Sequence, residues 1–141
     1  MRRKLYSVNI PESRRNVPFP ETGQWGMLKD CPVKLDVTLH DITMWFENKL
    51  ATASFKRGRN LGLNGYVQQI IYLSDSNITF FKANVSAEMK KKQTYLCKIV
   101  FDEKSDVMQA NCECPAGTGW VAACKHISAT INVIEHFMQT G

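Results

Sequence analysis

Between positions 112 and 126 the chain carries Cys112-Glu-Cys114 and Cys124-Lys-His126, and this cluster constrains the fold more than any other feature. In an extended strand alternate side chains share a face, so Cys112 and Cys114 present both sulfurs to one side. On a regular helix two residues that are two apart point about 200° away from each other. Cys124 is therefore expected at a helix entrance, with His126 on the first turn. A strand end and a helix start must then meet at one point. Three thiolates and an imidazole make a closed tetrahedral Cys3His set, the arrangement of structural zinc with no position left for water. The positive end of the helix favours the thiolates that such an ion needs. Zn2+ is the expected cofactor, with Cys112, Cys114, Cys124 and His126 as its ligands.

The remaining cysteines do not change this reading. Five is an odd number, which excludes a fully paired disulfide framework within one chain. Cys97 falls on an alternating strand face and reads as a small core hydrophobe. Cys31, beside Pro32, reads as a free thiol. His136 lies ten residues beyond His126 and reads as a surface residue or a neighbour of the site, and His40 has no evident partner.

Around the cluster, periodicity suggests an α+β protein made of an N-terminal arm and helix, a four-stranded antiparallel meander and a C-terminal helix. Residues 1–34 hold four of the five prolines and settle into no period, so they are expected to be an irregular basic arm. Trp25, Met27 and Leu28 could dock on the body. Residues 35–141 are expected to form a single domain. Leu35, Leu39, Ile42, Phe46, Leu50 and Ala53 step by three and four, which predicts a helix over 38–53, and Thr38 with Asp41 resembles a capping box. Residues 54–65, with three glycines, are expected to be a loop. Strands are predicted at 66–73, 78–85, 94–101 and 107–112, with a turn at Ser74-Asp-Ser-Asn77. Ile127, Ile131, Ile134 and Met138 mark one line of a helix over 125–138.

The run Cys112-Glu-Cys114-Pro115-Ala116-Gly117, followed by Cys124-Lys125-His126, resembles the SWIM zinc finger, whose signature is Cys-x-Cys, a variable gap and Cys-x-His. The resemblance spans about residues 94–138 and finds no counterpart in residues 1–65. It implies a zinc-stabilised ββα unit that binds DNA or protein. Such units occur in Mutator-like transposases, chromatin-remodelling ATPases and certain ubiquitin ligases, and similar fingers accompany YqaJ-like exonuclease domains.

Charge bears on the partner. The chain holds 18 Lys and Arg against 13 Asp and Glu, and the whole excess of five lies in residues 1–60. Such a balance favours polyanions. Lys56, Arg57 and Arg59 lie in the expected glycine loop, where backbone could approach a phosphate or where the charges are merely solvated. Lys90, Lys91 and Lys92 read as a solvated connection or a nucleic-acid contact. Lys125, between two ligands, is a candidate phosphate contact. Trp120 could stack on a base, enter a partner or pack beneath its own loop. No catalytic constellation is present in the sequence, so a non-enzymatic module is expected. The readings that stand are a phosphate-driven DNA-binding module of a recombination, transposition or chromatin protein, a protein–protein adaptor, and an accessory domain of a nuclease. No apolar run is long enough for a membrane span, and an intracellular, nuclear location is expected.

Overall fold

The computed structural model describes residues 18–88, 92–114 and 123–140. Its elements, in chain order, are β1 (Gly26–Met27), a short 3-10 turn (Leu28–Asp30), α1 (Leu39–Asn48), α2 (Thr52–Leu63), β2 (Ile71–Asp75), β3 (Ile78–Ser86), β4 (Thr94–Phe101), β5 (Val107–Cys112) and α3 (Lys125–Thr140). The strands form one antiparallel sheet in the order β1-β2-β3-β4-β5. The fold class is thus α+β, but the sheet has five strands where four were expected.

Local chemistry accounts for most of these boundaries. Asp75 and Ile78 are paired across a two-residue turn in which Ser76 and Asn77 both have positive φ, 52° and 69°. Such a turn matches the right-handed twist of the two strands. Between β4 and β5, Asp102 Oδ1 accepts hydrogen bonds from the Lys104 and Asp106 amides at 2.8 and 3.0 Å, so one side chain holds the loop closed. The capping box at α1 is present: Asp41 N donates to Thr38 Oγ1 at 3.1 Å, and Thr38 N donates to Asp41 Oδ2 at 3.3 Å.

The structure corrects the expected helix over 38–53 and the loop over 54–65. The first helix ends at Asn48, and the loop is the helix α2. The break follows from a closed C-terminus. Leu50 N donates to Glu47 O and Ala51 N to Phe46 O, both at 2.9 Å, with Leu50 at φ 55°. This is a Schellman motif with leucine at the left-handed position that glycine normally takes. Leu50, expected on the buried stripe, is instead 95% exposed.

Two of the three glycines of the supposed loop serve helix packing. Gly58 and Gly62 are one turn apart on α2 and face α3. A Cβ at Gly58 would lie 2.3 Å from the Ser128 Cβ and 2.4 Å from the Lys125 carbonyl oxygen. One at Gly62 would lie 2.9 Å from the Ala129 carbonyl oxygen. The two backbones approach closely because neither position carries a side chain. Ser128 Oγ then donates to Phe55 O at 2.8 Å across the same contact.

This approach presses α3 between α2 and the sheet. Residues 126–132, Ile134 and Glu135 of α3 are all buried. Ile127, Ile131 and Ile134 belong to one core with Phe81, Val85, Cys97, Ile99 and Phe101 of the sheet and with Ile42, Trp45 and Phe46 of α1. The opposite sheet face is covered by the segment expected to be irregular. Phe19 stacks on Trp25 at 5.6 Å and meets Phe80 edge-on at 5.4 Å, while Lys82 lies over the Trp25 ring. Trp25 and Leu28 thus dock, as their apolar character suggested, whereas Met27 joins β1 but stays 38% exposed.

Candidate metal centre

Four elements of chain geometry bring the cluster together. Cys112 is the last residue of β5, and Cys114 follows two positions on. Cys124 accepts the first helical hydrogen bond of α3, from Ser128 N at 3.0 Å, and His126 sits on the first turn. One donor atom from each of Cys112, Cys114, Cys124 and His126 lies within 4.8 Å of all the others, and all four residues are buried. His126 Nδ1 is 3.8 Å from the Cys112 sulfur and 3.9 Å from the Cys124 sulfur. A tetrahedral ion with three sulfurs and one nitrogen would need about 3.6 Å for such a pair. These two pairs need to contract only slightly to share a metal ion.

The surroundings fit a cation better than a cluster of neutral thiols. His126 Nε2 is buried with no hydrogen-bond partner, and the Tyr95 ring covers the imidazole at a centroid distance of 4.9 Å. The imidazole therefore meets polar partners only through Nδ1, the nitrogen that faces the Cys112 and Cys124 sulfurs and that a metal ion between them would bind. The Cys124 thiol is pushed up to about 12 by its hydrogen bond with Cys112 and by burial. At Cys112 the bond to Cys124 pulls downward, but the Cys97 thiol and burial together push its pKa up. Cys97 is the cross-strand partner of Cys112, a proximity that its core position alone did not disclose. Without a cation the Cys112 and Cys124 thiols hold their protons. A metal ion would replace them.

A cleft opens beside the cluster, lined by Ala53, Ser54, Lys56, Arg57 and Asn60 of α2 and by Cys114, Cys124, Lys125 and His126. It brings together three of the expected basic contacts, Lys56, Arg57 and Lys125, from a helix and a helix start rather than from a glycine loop. Glu88, just past β3, bridges two of them. Lys125 Nζ and Arg57 Nε donate to its Oε1 at 2.6 and 3.0 Å. These bonds, Lys125 first, hold the Glu88 carboxyl below its ordinary value.

Arg59 is not brought to the cleft. Its Nη1 donates to Asn132 Oδ1 at 2.8 Å and lies 3.9 Å from Glu135 Oε1, so it ties α2 to α3. Lys92 is exposed in the β3–β4 connection. Lys90, Lys91 and Trp120 lie outside the described residues, as do Pro115 to Gly117.

Periodicity missed Glu88, Gly58 and Gly62. For the glycines a signal existed: Phe55, Gly58, Leu61 and Gly62 share the three-and-four spacing of one helical face. Glu88 offered none, because its partners are 31 and 37 residues away.

The fold and site define an α+β protein with a buried Cys3His cluster able to hold a metal ion. No family model, curated protein or solved structure matches the chain. No helix among the described residues is long and apolar enough to cross a membrane.

Proposed function

We propose that the chain is a zinc-stabilised, SWIM-like binding module that contacts DNA through phosphates, with no catalytic role of its own. The observation that carries this reading is the cleft at the cluster, where Lys56, Arg57 and Lys125 converge from separate elements. Zn2+ suits the donor set, since three thiols and one imidazole without a carboxylate match its structural sites. The ion is not the phosphate attractant. Three thiolates around Zn2+ sum to about −1, so attraction must come from the cationic rim. The metal instead fixes the end of β5 against the start of α3 and thereby sets where Lys125 stands relative to α2. Such a module fits within a recombination, transposition or chromatin protein.

A salt titration of duplex binding, with zinc measured on the same sample, tests this. One zinc per chain is expected, with affinity falling as salt rises by a log–log slope of about −0.9 per phosphate contacted. Zinc-loaded protein that ignores duplex DNA at low salt, both with and without Glu88→Gln, would end the reading.

One observation favours a protein partner instead. Leu50, just past the end of α1, is 95% exposed, and Leu63, the last residue of α2, is 63% exposed. An adaptor using them would bind with little salt dependence and would tolerate charge reversal at Lys56 and Arg57.

A further inference from the structure

Glu88 pairs with two of the three cations that line the cleft, Arg57 and Lys125, which a bound phosphate would have to engage. One carboxylate oxygen accepts from both Lys125 Nζ and Arg57 Nε, and the Glu88 side chain is 23% exposed. Arg57 is 64% exposed and meets the carboxylate through Nε. Two of the cleft's cations are therefore already paired with an anion supplied by the same chain. Glu88 is placed there by the fold: Ala87 N donates to Gln93 O at 2.9 Å, closing the base of the β3–β4 connection that carries it.

We infer that Glu88 is a built-in competitor for the anion site formed by Arg57 and Lys125, which a nucleic-acid phosphate must displace before it engages both cations. The inference rests on the proposed DNA reading and adds how that site is restrained. A phosphodiester offers each cation its own oxygen, where Glu88 serves both from one. The exchange gives up two partly exposed contacts, which are individually weak in water. A polyanion that meets Lys56 in the same event compensates for them, whereas a lone small anion does not. Glu88 thus raises the threshold for binding and favours closely spaced phosphates over isolated ones.

Binding of a fluorescent duplex to the full zinc-loaded chain tests this, comparing the wild type with Glu88→Gln. The variant should bind about three- to tenfold tighter, and its log–log salt slope should steepen by about one. A double variant, Arg57→Gln with Lys125→Gln, is compared with and without Glu88→Gln. The gain should vanish in that background, because there is no cation pair left to unmask. Zinc content and thermal unfolding on each sample report folding. Equal or weaker binding by a folded, zinc-loaded Glu88→Gln protein overturns the inference while leaving the DNA reading intact. A gain that survives without Arg57 and Lys125 also overturns it. Binding by neither protein ends both. Binding by Glu88→Gln alone supports it and shows the wild-type cleft to be masked.

Discussion

Gly58 of α2 faces Ser128 of α3 with no room for a methyl group: a Cβ there would sit 2.3 Å from the Ser128 Cβ and 2.4 Å from the Lys125 carbonyl oxygen. The contact is only four residues from Cys124, so the packing of α2 also sets where the first turn of α3, with His126, can lie. The position of the candidate ligands and the approach of the two helices are one piece of geometry.

Gly58→Ala is accordingly expected to destabilise the protein. Alanine would improve helix propensity by about 1 kcal/mol. Forcing a methyl against a backbone carbonyl costs about 3 kcal/mol, because the neighbour cannot swing aside. A net loss of about 2 kcal/mol should appear in denaturant unfolding, with lower zinc affinity alongside. An alanine variant as stable as the wild type would show that the helices separate without penalty.

Leu50 points the other way. It holds φ 55° at the left-handed end of α1 and is 95% exposed. Leucine is strained in that conformation and glycine is not. Leu50→Gly should stabilise the protein by about 1 kcal/mol, read as a raised unfolding midpoint. Loss of stability would mean that Leu50 makes a contact worth more than its backbone strain.

Removing the metal, or one ligand by Cys114→Ser, should dismantle the corner formed by β5 and α3. Structural zinc in small motifs binds with an apparent free energy on the order of 10–16 kcal/mol, much of it folding free energy. Because α3 lies in the centre of the core, the loss should spread through the whole domain. Calorimetry with and without a chelator checks this, and an unchanged melting temperature on full zinc removal would refute it.

The thiols give opposite pH responses to the metal-free and metal-loaded forms. In the metal-free form the Cys124 thiol stands at about 12 against an ordinary 9.0. Its pKa is raised by folding, so its contribution to stability is complete below about pH 9 and is lost as pH climbs toward 12. Zinc needs thiolates and displaces their protons, so its affinity should fall as pH is lowered, by about tenfold per pH unit for each proton displaced. Chelator competition between about pH 6 and 8 measures the second effect, and alkaline unfolding of the metal-free protein measures the first.

Part of the site was legible because it depends on neighbours in sequence. Short spacing keeps Cys114, in a bend just past the end of β5, close to Cys112, and the start of a helix separates the roles of Cys124 and His126. Strands β4 and β5 lie where their two-residue period put them, and Thr38 caps α1 with Asp41 as its spacing suggested. The glycines misled because glycine marks both loops and close helix contacts, and only the partner helix distinguishes the two. Arg59 misled for the same reason. A basic residue in a supposed loop looked available, but Asn132 and Glu135, more than seventy residues away, hold it.

By itself the sequence determined which four residues can share a metal ion, since donor type and short spacing are local properties of the chain. It also determined the α+β class, through periods of two and of three to four. Tertiary structure alone decided that α2 exists as a helix against α3 and that residues 26–27 add a fifth strand. It alone set Glu88 between Arg57 and Lys125. Each of these depends on an approach between segments distant in the chain, where backbone contact, burial and charge pairing act, and no local period records them.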